Sequence, residues 1–187
     1  MVTRYPPFRM SIDQYERLVA SGIFTKRDKL QLINGILVAK VTKKPPHAVS
    51  CDLCRNSLSR MLPTGWHLRA ENPVRIPPDS EPEPDLCVVR GSERDYSACH
   101  PGPAAVGLLV EIADSSVAAD RGMASTFSAS GIPVYWIVNL VDRQVEVFTS
   151  PTSDGYGEMR IFQPGEKVPI VLDGIVVDHI AVSDMLP

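Results

Sequence analysis

The chain has 187 residues, 44% hydrophobic and 22% charged, with a formal net charge of −3, the balance of an ordinary globular domain. That charge excludes binding to nucleic acid by bulk positive charge, so any such contact must be local, around Lys40, Lys43 and Lys44. No apolar run approaches the ~18 residues of a membrane span, and the first eight residues lack a signal peptide's apolar stretch, so a cytoplasmic protein with no membrane partner is expected, folded as one domain over residues 1–187.

A short helix is expected from Met10 to Leu18, with Ser11 as N-cap, Gln14 completing a capping box and Gly22 ending it. Asn34-Gly35 between two apolar runs is a strong hairpin signal and predicts paired strands over 30–33 and 36–39. Pro45-Pro46-His47 breaks the second strand, and Val49, Leu53, Leu58 and Leu62 recur at helical spacing. They predict the longest helix, over 48–62. Cys51 and Cys54 fall on it, and with no second pair at that spacing they read as reduced thiols rather than a zinc site.

Further strands are expected over 66–76, with an interruption at Pro73, and over 86–89 and 106–113. A polar loop over 91–103 separates the last two. A short helix over 115–130, with Asp114 as its N-cap, stops at Gly131-Ile132-Pro133. Residues 134–140 and 144–148 read as another hairpin, 159–162 and 168–171 as short strands, and 181–186 as weakly helical. Hairpins outnumber crossovers. The fold class is α/β or α+β, a mixed β-sheet flanked by helices with extra β-hairpins.

Glu111 is the most informative residue. It stands in Leu108-Leu109-Val110-Glu111-Ile112-Ala113, where its neighbours are apolar. A buried, unpartnered carboxylate costs several kcal/mol or more, so a metal, a cation or a basic side chain must offset it. Asp85 opens a second apolar strand after Glu83-Pro84. If the two strands are neighbours, both carboxylates converge at one end. Two carboxylates with water suit Mg²⁺ or Mn²⁺, an ion that activates water for attack on a phosphodiester. The plainer alternative pairs Glu111 with Arg69 or Arg75. Tyr135 and Trp136 sit in an apolar strand and read as core.

The runs Pro82-Glu83-Pro84-Asp85-Leu86-Cys87-Val88-Val89, Leu108 to Ser116, Asp120-Arg121-Gly122 and Gly131 to Leu140 resemble the Uma2 family. So do Leu32-Ile33-Asn34-Gly35 and His47, and the likeness spans roughly residues 10–185. Uma2 is a widespread bacterial group assigned as endonucleases of the PD-(D/E)XK, restriction endonuclease-like superfamily. The resemblance implies that Asp85 and Glu111 bind the metal, and that Asp120 and Arg121 stand in the segment leading to a helix facing the site. His47 and Glu71 carry over more weakly, as residues near the cleft. The implied partner is DNA, and a homodimer through an exposed sheet edge is a further expectation.

The sequence departs from the family where it matters most. Ala124 stands where a lysine is usual, four residues after Asp120. Gln31 and Ile36 replace acids common around the first hairpin, and Val134 stands where Glu is common. Two functional classes follow. One is a metal-dependent DNA endonuclease, slowed by the missing lysine. The alternative is a catalytically inactive nuclease-fold protein that binds nucleic acid or a protein partner.

Overall fold

The structure, a computed structural model, describes residues 5–24, 28–40 and 42–187. Helix α1 spans Ile12–Ala20 and begins with the expected capping box, Gln14 N–H donating to the Ser11 hydroxyl and Ser11 N–H to the Gln14 side chain. Strands β1 (Leu30–Ile33) and β2 (Ile36–Ala39) pair across Asn34-Gly35 as predicted. Both turn residues have positive φ, 48° and 75°, as this hairpin turn requires. At Gly35 a side chain would also strike Arg9. The hairpin is tied to the segment before β4. Glu81 N–H donates to Leu32 O at 2.7 Å, and Asn34 N–H to the Ser80 hydroxyl at 2.8 Å.

Helix α2 spans Pro45–Met61, starting three residues earlier than expected. The two prolines that end the strand also open the helix, because proline at a helix start gives up only an N–H that has no helical partner. His47 therefore lies in the first turn rather than ahead of it. Strand β3 covers only Trp66–Ala70, since Glu71 at φ 53° and Pro73 turn the chain away. Strands β4 (Leu86–Arg90) and β5 (Val106–Ala113) follow. Helix α3 (Val117–Ala129) leads to β6 (Tyr135–Asn139), β7 (Gln144–Thr152) and β8 (Gly155–Phe162). The N-cap of α3 is Ser116, not Asp114, whose carboxylate faces Lys44 at 3.5 Å. Strands β9 (Lys167–Leu172) and β10 (Ile175–Ala181) close the chain as a hairpin. The expected helix over 181–186 is replaced by the end of β10 and a single 3-10 turn, Val182–Asp184.

Six strands form one mixed sheet in the order β3-β4-β5-β6-β7-β8, in which β5 and β6 are parallel and the other pairs antiparallel. The parallel pair needs a crossover, and α3 supplies it. Alternation along β5 divides the core. Leu108, Val110 and Ile112 point to one face with Cys54 and Leu58 of α2 and Val168, Ile170 and Ile180 of the last hairpin. Leu109 and Ala113 point to the other face with Tyr135, Ile137 and Phe127 of α3. Glu111 belongs by its position to this second face. Tyr135 and Trp136 are wholly buried, as the sequence predicts. No helix among the described residues is long and apolar enough to cross a membrane.

Gly107 lets the last hairpin approach the sheet. A methyl group there would come within 2.6 Å of both Leu172 and Trp66. Gly107→Ala is expected to destabilise the protein by about 1–3 kcal/mol, measured as a lower urea midpoint with an unchanged slope.

Candidate active site

Leu86 of β4 lies opposite Val110 of β5. The same antiparallel register carried one step further sets Asp85 against Glu111. Asp85 N–H donates to Glu111 Oε2 at 3.0 Å. The apolar residues that build two central strands thus bring both acids to one sheet end, on the face that α3 covers. The first turns of α3 add Asp120, whose carboxylate accepts from the Ser116 hydroxyl at 2.6 Å. Its backbone oxygen accepts from the Tyr135 hydroxyl at 3.0 Å, which anchors α3 to β6.

Asp85 is the most heavily bonded group. Its Oδ2 accepts from Ile112 N–H at 2.8 Å and faces His47 Nε2 at 3.0 Å. An ionised carboxylate only accepts, so His47 carries its proton on Nε2. Oδ1 accepts from Lys43 Nζ at 2.7 Å, and the same ammonium bonds Glu71. Lys43, His47, Asp85 and Ile112, with Glu111 and Asp120, line a cleft of about 360 Å³ between the β1–β2 hairpin, the β2–α2 connection, the start of α2, the strand ends and α3, and Glu71 lies outside it. Lys40 and Lys44 stand on its rim, paired with Glu83 at 2.7 Å and Asp114 at 3.5 Å. Gln31 also lines the cleft, and its side-chain oxygen accepts from Glu83 N–H at 2.9 Å.

Burial alone would raise the Asp85 pKa. The hydrogen bonds from His47, Lys43 and Ile112 outweigh it and bring the group down to about 2. Glu111 moves the other way. Burial raises it well above the ordinary value, and the charges of Asp85 and Asp120 add to the shift. Asp85 therefore holds the negative charge, while burial and the neighbouring acids push Glu111 toward its protonated form. Asp120 is raised to about 6, by burial first and against its bond from Ser116. Burial opposes the charge on Lys43, but its bonds to Asp85 and Glu71 raise its pKa overall.

Of the four residues singled out by sequence, Asp85, Glu111 and Asp120 come together here and Arg121 does not. Arg121 forms a two-pronged pair with Glu146 of β7, at 2.8 and 2.6 Å. Glu146 is almost wholly buried and also accepts from Asn139 at 2.9 Å. Neither Arg69 nor Arg75 neutralises Glu111. Arg75 pairs with Asp13 and Glu16, and Arg69 meets His100. His47 and Glu71 both join the network, His47 directly and Glu71 through Lys43. Ala124 packs against the apolar cluster beneath α3, while Ala119, Asp120 and Met123 face the cleft. Sequence reasoning missed Met123 altogether and saw Lys43 only as part of a basic segment.

Two carboxylates on a cleft floor are the oxygen donors a hard divalent ion takes, and Asp85 and Glu111 fit that chemistry. Lys43 and His47 hold the Asp85 oxygens as they stand. Among the described residues no three His, Cys, Asp or Glu side chains are gathered closely enough to form a complete metal cage. A mixed sheet with acids at the ends of neighbouring central strands, flanked by helices, is the restriction endonuclease-like class of nuclease folds. A solved structure described as a putative nuclease belonging to DUF820 from Anabaena variabilis shares this fold, with a TM-score of 0.70 at 15% identity over 94% of this chain and 97% of that one. The family model Uma2, described as a putative restriction endonuclease, matches residues 12–181, and the chain belongs to the Uma2 family. No curated protein matches it.

The shifts set the pH dependence of stability. The lowered Asp85 contributes stability that is complete above its ordinary 3.8 and is lost as pH falls through about 2. The raised Asp120 acts in the opposite sense, costing stability as pH rises from 3.8 through about 6. Asp120→Asn should therefore match the wild type in acid and exceed it by about 3 kcal/mol at neutral pH, as read from urea melts across that range. Arg121→Met strands a buried carboxylate and should cost about 1–3 kcal/mol, while calorimetric Mn²⁺ binding stays as in the wild type.

Proposed function

We propose that the protein is a metal-dependent DNA endonuclease that hydrolyses phosphodiester bonds in the cleft around Asp85 and Glu111. The observation that carries this reading is the ionised Asp85 held against Glu111 on the cleft floor, in a chain of the Uma2 family. Asp85 and Glu111 would hold Mg²⁺ or Mn²⁺, which supplies Lewis acidity toward the phosphate and a lowered pKa for attacking water. His47 Nε2–H and Ile112 N–H hold Asp85 Oδ2, so that Oδ1, which Lys43 bonds, is the oxygen that would meet the ion. The raised pKa of Glu111 would make affinity for the ion rise with pH. Asp120 extends the acidic floor toward α3. In the reaction a water oxygen bonds to phosphorus and a P–O bond to one sugar breaks. The products are a phosphomonoester and a free hydroxyl, whose hydrogen comes from the water.

A second reading is a catalytically inactive relative that binds nucleic acid or a protein partner through the same cleft. It draws on the α3 positions facing the acids, Ala119, Asp120 and Met123, which supply no cation.

Incubation of plasmid and single-stranded DNA with Mg²⁺ or Mn²⁺ separates the two. Cleavage by the wild type that falls at least about a hundredfold in Asp85→Ala supports the enzyme. A silent wild type that gains cleavage in Met123→Lys supports the inactive relative. Calorimetric Mn²⁺ binding should release protons and vanish in Glu111→Ala, and retention there would remove the metal site.

A further inference from the structure

We propose that Lys43 is the substrate-facing cation of the cleft, donating to a non-bridging oxygen of the scissile phosphodiester. The inference rests on the nuclease reading and adds a residue to it. A phosphodiester entering this site meets Asp85, Glu111 and Asp120 together. Even with a divalent ion bound, that many acids leave little net attraction for an anion at close range. Positive charge must come from the protein, and few groups can give it.

Arg121 is committed to Glu146, outside the cleft. The ammonium groups of Lys40 and Lys44 sit on rim acids, Glu83 and Asp114. Lys43 alone among these has its ammonium on Asp85 itself, at 2.7 Å. Its second partner, Glu71, is about half exposed, with a side-chain accessibility of 53%. Exposed pairs of this kind hold weakly. A phosphate oxygen can therefore replace the Glu71 carboxylate while the lysine stem stays in place. Lys43 is also partly open to solvent, at 29%, so a polymer backbone can reach it. The charge that α3 does not supply is delivered from the opposite wall, by the connection ahead of α2. Lys43 transfers no proton in this role. It stabilises the charge that grows on the phosphate oxygens as water adds.

The test measures binding and cleavage side by side. A short fluorescein-labelled single-stranded DNA is titrated by anisotropy in Ca²⁺ at several salt concentrations, and cleavage is followed in Mn²⁺. Lys43→Gln is expected to weaken binding about tenfold or more and to reduce the salt slope by about 0.7–1. It should slow cleavage by about two orders of magnitude. Lys43→Arg should keep the binding and the slope. Glu71→Gln breaks the same ion pair but leaves the cation, and should bind as well as the wild type or better. Binding that falls as far in Glu71→Gln as in Lys43→Gln makes Lys43 a structural brace and overturns the proposal, as does a wild type that binds no DNA. Where Lys43→Gln does not fold, the Lys43→Gln/Glu71→Gln double variant, which removes the cation together with its exposed partner, takes its place in the comparison. Cleavage and binding unchanged in Lys43→Gln overturn the role of Lys43 and leave the nuclease standing. Binding that depends on Lys43 with no cleavage by any variant keeps Lys43 and removes the nuclease.

Discussion

The structure turns on one buried charge. Asp85 is ionised at the end of a central strand, where desolvation opposes it, and a backbone N–H, an imidazole and an ammonium together hold it there. Each donor comes from a different place: β5, the first turn of α2 and the connection before it. Stabilising the charge therefore fixes the relative positions of three parts of the chain. Glu111, one strand away, is pushed toward its protonated form by burial first and by that same charge second. The pKa values of two carboxylates in one cleft are thus driven in opposite directions by their surroundings, the arrangement from which acid–base and metal chemistry starts.

Helix α3 shows how one turn divides its work. Glu111, Ile137 and Glu146 form a row across the sheet face beneath it. Asp120 leans toward the Glu111 end and Arg121 toward Glu146. Successive helix residues point about 100° apart, so adjacent positions serve separate acids. One end of the row keeps its charges unneutralised from α3, and the other is sealed by a two-pronged pair. The sealed end stabilises the fold and the open end faces the cleft.

Much of this was legible in the sequence wherever a local pattern decides the outcome. Asn34-Gly35 predicts β1 and β2 with their boundaries, and Ser11 with Gln14 predicts the start of α1. Glu111 declares itself because a carboxylate among apolar strand residues demands an explanation. What escaped was set by tertiary direction. Arg121 has the right charge beside the right aspartate, but helical geometry aims it elsewhere. Pro45 and Pro46 read as a break, yet the same residues can open a helix, so His47 moved inside α2. Strand β10 was missed because Asp178 and His179 interrupt its apolar run over a bulge at Val176. Lys43 was visible only as one of three nearby lysines, since nothing local says which of them reaches Asp85.

The cleft draws on Lys43, His47, Asp85, Glu111 and Asp120, which are scattered over much of the chain, and no two of them are neighbours in sequence. Such a site has a high contact order, and its geometry exists only once the long-range pairing of β4, β5 and β6 and the docking of α3 are complete. No partly folded chain can present it. Ion uptake or chemistry in this cleft therefore reports on the assembled molecule as a whole. Local opening of the connection that carries Lys43 would switch the cleft off well before the sheet itself gives way.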